Sequence, residues 1–484
     1  MAIRASDMTR THRERLLKNG FIREVMKGWY IPARPNEPPG ESTAWYASFW
    51  DFCTAYLNER FGSEWCLSPE QPVSLHTGHW GVPKQLLVRS PKGGNKPTTL
   101  LYGTSIFDLR LELPVAQDIE TKDGLRIFKL PASLLGCLPA QFISQPIEMR
   151  AALAMIPDAS DILGRLLTGG HSKIAGRLAG AFRNIGRDEI ADNIVATMQA
   201  AGYTVREIDP FEDKPLITFG MRETSPYVNR LRMNWARMRA DVLQNFPPAP
   251  RLTADPVSYM KHVEEVYISD AYHSLSIEGY KVNTGLIEQV RSGHWNPDSI
   301  KDHQDHRNAL AARGYWQAFQ SVKQSIEKVL RKENAGSVAG KDHSNWYREL
   351  FGPSVTAGIL KAVDLAGYRN GPVYIRRSKH SPPRQEAVRE LMPTFFELLQ
   401  QENEPAVRVV LGHFMFVYIH PYFDGNGRMG RFLMNVMLAS GGYPWTIVPL
   451  ERRDDYMGAL ESASVDQDII PFTKLLAELL KKKR

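Results

Sequence analysis

At 484 residues, 43% of them hydrophobic and 23% charged, the chain is long enough for two or three domains, each with its own core. No apolar run reaches membrane-spanning length, and the start, Met1-Ala-Ile-Arg-Ala-Ser-Asp7, lacks the apolar stretch of a signal peptide, so a cytoplasmic location without a membrane partner is expected. Cys53, Cys66 and Cys137 have neither metal-type spacing nor the even count of a disulfide framework, and a net charge of +7 over this length says nothing by itself about nucleic acid.

In chain order, residues 1–35 come first and are locally basic: Arg4, Arg10, Arg13, Arg15, Lys18, Arg23, Lys27 and Arg34 face only Asp7, Glu14 and Glu24. Helical spacing through Arg13-Glu-Arg-Leu-Leu-Lys18 stops at Asn19-Gly20, and Phe21–Pro32 reads as two short strands around Lys27-Gly28. This stretch resembles the N-terminal winged-helix segment of AbiEi-type antitoxins, which implies a DNA contact. A solvated basic hairpin explains the same residues.

Residues 36–205 read as an α+β accessory domain. Short apolar runs at Pro72–His76, Gln85–Arg89, Thr98–Tyr102 and Leu125–Leu130 alternate with turns, and residues 147–203 are helical by pattern, with Ile190, Ile194, Val195 and Met198 on one face. Residues 206–254 hold one helix and the proline cluster Phe246-Pro-Pro-Ala-Pro250, a domain boundary. Residues 255–484 are strongly helical. Asp255-Pro256 is an N-cap with proline at the first helical position, followed by an apolar face of Met260, Val263, Tyr267, Ala271 and Leu275 that runs to Gly279. Further helices are expected at 283–291, 300–331, 353–365, 384–402 and 406–419. Between them, residues 371–383 have the content of a short hairpin, and the chain closes on an amphipathic helix from Phe472.

The densest chemistry lies in His420-Pro-Tyr-Phe-Asp-Gly-Asn-Gly-Arg-Met-Gly-Arg431. Pro421 ends the preceding helix at His420. The turn Asp424–Gly427 then opens a new helix whose first amides form an anion cradle. Gly425 and Gly427 permit close approach and left-handed dihedrals, and Asn426 can donate to a phosphate oxygen. Asp424 is a hard oxygen ligand suited to Mg²⁺ carrying a pyrophosphate. Arg428 and Arg431 share a helical face and can fork onto phosphate oxygens, while His420 can take a proton from a hydroxyl. Phe423, His413 and Tyr418 are read as core packing around this motif.

The segment resembles the signature of the Fic family, His-x-Phe-x-Asp/Glu-Gly-Asn-Gly-Arg-x-x-Arg, with Tyr422 in place of the phenylalanine, and the surrounding helices extend the likeness over about residues 255–450. The resemblance implies a mainly α-helical core that transfers AMP from ATP to a Tyr, Thr or Ser hydroxyl of a target protein. His420 would be the base, Asp424 the Mg²⁺ ligand, Gly425, Asn426 and Gly427 the cradle, and Arg428 and Arg431 the holders of the outer phosphates. Gly427 argues against the Doc branch, which carries lysine there. Residues 371–383 take the place of the family's flap, with Val373, Tyr374 and Ile375 as the edge that an extended target would extend. Ser274-x-x-x-Glu278-Gly279 matches the family's inhibitory helix, here 256–279. By that resemblance Glu278 pairs with Arg431 in the space of the γ-phosphate. Two other functions fit the same residues: removal of AMP from a modified target with Glu278 positioning water, and a DNA-binding regulator whose Fic site senses nucleotide. A homodimer through the core helices is compatible with both.

Overall fold

The structure is a computed structural model of the chain, and it describes residues 2–35, 41–217, 225–250, 255–294 and 303–481. It divides into two compact units, Met1–Met233 with Tyr374–Pro383, and Asn234–Val373 with Arg384–Arg484. The division falls inside the helix Pro226–Asn245 rather than at the proline cluster that follows it.

The first unit opens with a three-stranded antiparallel sheet in the order Ile3–Arg4, Trp29–Pro32, Ile22–Met26. Thr9 caps the helix Arg10–Lys18 by accepting from the His12 N–H at 3.3 Å, so helix and hairpin lie where the sequence puts them. Among the described residues one α-helix and a short 3₁₀ turn, Ala5–Asp7, precede the hairpin, and neither buries any of its residues. A second, mixed sheet runs Cys66–Leu67, Gln85–Ser90, Ser105–Arg110, Lys96–Thr99, with Gln85–Ser90 and Ser105–Arg110 parallel. The apolar run Pro72–His76 is part of the helix Glu70–His76. Pro72 lies in the first turn, where its missing N–H costs nothing, whereas in a strand it would break the ladder. The helix Thr43–Phe61 was also not legible. Its aromatic residues favour strands by propensity, but Trp45, Phe49, Phe52 and Tyr56 are buried around the helix, and tertiary burial overrides propensity. They form an aromatic core with Trp29, Trp65 and Leu86. A second core gathers the helices of residues 130–200 around Leu134, Phe142, Phe182, Ile190 and Ile194.

The second unit is helical. The helix Pro256–Ile277 is capped as expected, with the Asp255 carboxylate accepting from the Ser258 N–H at 3.0 Å and Pro256 at the first position. Its buried face includes Tyr259 in place of the expected Met260. The helix expected at 353–365 is misplaced: the helix is Ala335–Thr356, with Pro353 inside it and a short 3₁₀ turn at Ala362–Leu365 after it. Its start, Ala335-Gly-Ser-Val-Ala-Gly340, reads as a loop, yet a Cβ at Gly336 would collide with the backbone of Gln400. The small residues let it pack closely on the helix Gln385–Gln401. The helices Pro405–Ile419 and Asn426–Ser440 follow, and Asn426–Ser440 is buried almost all round. No helix among the described residues is long and apolar enough to cross a membrane.

The hairpin expected at 371–383 has no paired strands. Arg377 takes a left-handed φ of +59°, the Ser378 N–H closes a turn on the Ile375 carbonyl at 3.1 Å, and Pro372, Pro382 and Pro383 have no ladder N–H to offer.

Candidate active site

The helix Pro405–Ile419 ends at His420, which adopts a left-handed conformation at φ 54°, ψ 59°. A non-glycine residue held there costs roughly 1–2 kcal/mol, so the surroundings must impose it. The imidazole Nδ1 lies 3.2 Å from the Val417 carbonyl. A carbonyl only accepts, so Nδ1 carries the proton and the Nε2 lone pair is left as the basic one. Burial is the main influence on the ring and pulls its pKa down to about 4; the Val417 bond and the carboxylates of Glu278 and Asp424 oppose it, and the Arg369 charge assists it. The ring is therefore neutral at physiological pH.

The turn after His420 is clasped by Asn426. Its Oδ1 accepts from the Tyr422 N–H at 3.0 Å and its Nδ2 donates to the Tyr422 carbonyl at 2.8 Å. The amide side chain expected to reach a phosphate is thus engaged by the loop, and the backbone does the cradling. Gly425 precedes the helix with φ +81°, and the first intrahelical bond runs from the Met429 N–H to the Gly425 carbonyl at 2.9 Å. The N–H groups of Asn426, Gly427 and Arg428 lie ahead of that bond, at the positive end of the helix dipole. Gly427, contrary to the expectation of a left-handed residue, has ordinary helical backbone. It is needed for space, because a Cβ there would collide with Glu278 Oε1.

Glu278 reaches that point from the other direction. The helix Pro256–Ile277 stops at Glu278 because Gly279, at φ +89°, turns the chain and lets the Tyr280 N–H close on the Leu275 carbonyl at 3.1 Å. Arg431 Nη2 donates to Glu278 Oε1 at 2.7 Å and to the Ser274 carbonyl at 3.1 Å, and Arg431 Nε donates to Ser274 Oγ at 2.8 Å. Burial opposes the charge on Arg431, but the Glu278 carboxylate outweighs it and holds the guanidinium protonated. Arg428 is buried between the rings of Tyr280 and Phe351, 5.2 and 5.0 Å from their centroids, with its Nη2 3.3 Å from Asp424 Oδ2. Arg428 Nε and Arg431 Nη1 are buried with no hydrogen-bond partner, which leaves two unsatisfied donors on the helix that begins with the cradle. Ser274, Glu278, Arg428, Arg431 and the cradle of Gly425–Gly427 are therefore one constellation.

Asp424 stays largely exposed while its Oδ1 accepts from the Gly425 N–H at 2.6 Å. Among the described residues no three His, Cys, Asp or Glu side chains cluster as a resident metal site would need. A single open carboxylate beside an amide cradle fits Mg²⁺ that arrives with a nucleotide and keeps several waters and phosphate ligands.

Tyr422 is 2% exposed, stacks on Tyr347 at 3.8 Å and finds Ser344 for its hydroxyl, so the substitution at the motif's aromatic position is accommodated. His413 is buried with Nε2 2.8 Å from the Tyr456 hydroxyl, as core packing requires. Phe423 is a correction: it is half exposed, and its ring lies against Gly371. Val373, Tyr374 and Ile375 lie on an irregular segment without paired strands, with Tyr374 exposed. In the first unit, Arg13, Arg15 and Lys18 lie on the exposed helix Arg10–Lys18.

Sequence reasoning missed several supporting residues. Asp270 accepts from the Tyr315 hydroxyl at 2.6 Å and from Trp445 Nε1 at 3.0 Å, one turn before Ser274. His273 Nδ1 accepts from the Leu450 N–H at 3.0 Å, and Arg453 Nε donates to the Ile277 carbonyl at 3.0 Å.

Residues 343–438 match the Fic/DOC family model. The chain is 30% identical over 225 residues to a protein adenylyltransferase Fic of Drosophila virilis, and 31% identical over 228 residues to that of Drosophila erecta. These matches cover 45% of this chain and 42% and 41% of the relatives, so the chain spans less than half the length of the curated proteins it matches. Among solved structures, Fic-1 from C. elegans aligns with a TM-score of 0.39 at 19% identity, covering 73% of this chain and 93% of that one. A Fic domain containing signaling protein from Bacteroides thetaiotaomicron aligns with a TM-score of 0.36 at 17% identity, covering 51% and 93%.

Proposed function

We propose that this chain, whose residues 343–438 form a Fic domain, is a protein adenylyltransferase held inactive by its own Glu278. The observation that carries the reading is an anion already seated at the start of the motif helix: the Glu278 carboxylate, 2.7 Å from Arg431 and packed over Gly427. A group that holds a carboxylate there, with two buried guanidinium nitrogens unpartnered, is built for phosphate.

In the active state Arg431 exchanges Glu278 for the outer phosphates of ATP, and Arg428 joins it. His420 Nε2 takes the proton of a target hydroxyl, whose oxygen attacks the α-phosphorus. The bond to pyrophosphate breaks, and the two arginines and the cradle amides stabilise the charge that develops on the leaving group. Mg²⁺ held by Asp424 would offset phosphate charge as it does in other nucleotide sites. With Glu278 in place, a γ-phosphate meets a carboxylate instead of a free guanidinium, and like charges in a buried site exclude it.

The test is incorporation of labelled AMP, read by mass spectrometry with cell lysate as the source of targets. Glu278→Gly is expected to raise incorporation by about 5- to 150-fold, the span of ordinary coupling energies, and His420→Ala in that background to abolish it. Unchanged incorporation in Glu278→Gly would sink the inhibitory role. Release of AMP from a modified partner by the unaltered chain, lost in Glu278→Gly, would assign Glu278 to water activation instead.

A further inference from the structure

Arg369 takes no part in the chemistry above, yet it is among the largest fully buried side chains of the molecule. It follows the short turn Ala362–Leu365 and precedes the irregular segment from Gly371. Its Nε donates to the His420 carbonyl at 2.7 Å, its Nη1 to the Gly371 carbonyl at 3.0 Å and its Nη2 to the Ile419 carbonyl at 3.4 Å. Its backbone N–H donates to the Pro421 carbonyl at 2.9 Å. Ile419 and His420 are where the helix Pro405–Ile419 ends, and the last carbonyls of a helix have no partner within it. One residue therefore satisfies three consecutive carbonyls, those of Ile419, His420 and Pro421, across the point where the chain turns left-handed.

We infer that Arg369 is a positioning residue for the adenylyl transfer proposed above, its planar guanidinium holding the carbonyls of Ile419 and His420 so that His420 keeps the left-handed conformation from which its ring works. The inference rests on that functional reading for its kinetic consequence and on the hydrogen-bond geometry for its structural one. Lysine cannot substitute, because a point charge on a flexible stem does not span carbonyls at the separation a rigid fork covers. Burial draws the Arg369 pKa down to about 10, so the group stays charged at neutral pH in a place that disfavours charge. The carbonyls that Arg369 binds, those of Ile419, His420, Pro421 and Gly371, belong neither to the cradle nor to the two motif arginines, so its loss should disturb the base and leave nucleotide binding alone.

The experiment compares Glu278→Gly with Glu278→Gly/Arg369→Ala and Glu278→Gly/Arg369→Lys in steady-state self-modification by labelled ATP. The expected result is a kcat lower by about tenfold or more, since small misplacements of a catalytic group cost up to about a hundredfold, with the KM for ATP within about twofold. Methylguanidinium added to the alanine variant should restore a substantial part of kcat, and the lysine variant should stay slow. A folded alanine variant with full kcat would overturn the proposal, and so would a loss of kcat together with ATP affinity that methylguanidinium does not relieve. Amide hydrogen exchange of residues 416–421 serves as a readout independent of activity. It should speed up in Arg369→Ala and slow again with methylguanidinium; unchanged exchange there would refute the positioning role. If Glu278→Gly itself incorporates no AMP, it is the adenylyltransferase reading that fails, and the exchange result alone decides whether Arg369 holds the turn.

Discussion

His420 can act as a base at neutral pH only if its ring is unprotonated there, and its surroundings settle that. Burial is the largest influence and lowers the pKa from 6.5 to about 4. Replacing Glu278 removes a carboxylate that pushes the value up, while opening the site to water relaxes the burial that pushes it down. While the ring stays buried, the loss of that carboxylate keeps the pKa below the ordinary histidine value. The pH–rate profile of Glu278→Gly is expected to show its acidic limb below 6.5, with no rise between pH 7 and 8 from this group; a limb at or above 6.5 would contradict the buried environment described here. The identity of the motif residues was legible because twelve contiguous positions carry a spacing that few other structures need. What each side chain touches was less so. Asn426 looked like a phosphate donor because amides do bind phosphates, but its two ends match the backbone of Tyr422 four residues earlier, a local pairing that side-chain chemistry alone does not distinguish. Arg369 was invisible because it binds backbone carbonyls, and a carbonyl leaves no mark in a sequence.

The helix Pro256–Ile277 was legible as an element, from its cap, its apolar period and its terminal glycine. Its attachment was not, because Asp270, His273 and Ile277 are held by Tyr315, Trp445, Leu450 and Arg453 from remote parts of the unit. These attachments decide how firmly Glu278 is presented. Arg453 donates to the Ile277 carbonyl at the negative end of the helix, where a cation stabilises by about 0.3–1 kcal/mol. Arg453→Ala should therefore shift the helix end away from Arg431 and raise AMP incorporation by about two- to fivefold, the equivalent of that energy, well short of the Glu278→Gly effect. Incorporation equal to the unaltered protein in a correctly folded variant would show that the helix end does not depend on Arg453. The misplaced helix at 353–365 has the same origin as the unseen attachments. Gly336 and Gly340 read as loop residues until the close approach of the helix Gln385–Gln401 is known.

At the scale of the whole molecule, the segment Tyr374–Pro383 is separated by some 140 residues from the rest of the first unit, yet it belongs to that unit. Glu41 is what ties it there. Its carboxylate is 4% exposed and accepts from Thr43 N–H at 3.2 Å, Thr43 Oγ1 at 2.5 Å and Arg376 Nε at 2.6 Å, with Arg377 Nε at 4.0 Å. The Arg377 N–H also donates to Thr43 Oγ1 at 3.3 Å. These contacts involve the backbone of Arg377, the left-handed residue of the segment. Burial alone would raise the Glu41 pKa, but the bonds from Thr43 and Arg376 together hold it at about 2, below its ordinary 4.5. A depressed carboxylate contributes stability that is complete above 4.5 and is lost as pH falls toward 2. Amide exchange within residues 374–383 should therefore be constant from pH 7 to about 5, after correction for the intrinsic rate, and should accelerate between pH 4.5 and 2. Glu41→Gln should produce the fast state already at pH 7, because the neutral amide keeps the shape but gives up the charge-assisted bond to Arg376. The helix Asn426–Ser440, buried almost all round, is the internal reference and should not respond. Exchange in 374–383 that is indifferent to both acid and Glu41→Gln would mean that the segment is held by contacts other than those of Glu41. Acceleration confined to 374–383 would establish a stretch of chain, lying in sequence between two helices of the second unit, whose conformation is set by one carboxylate of its own unit.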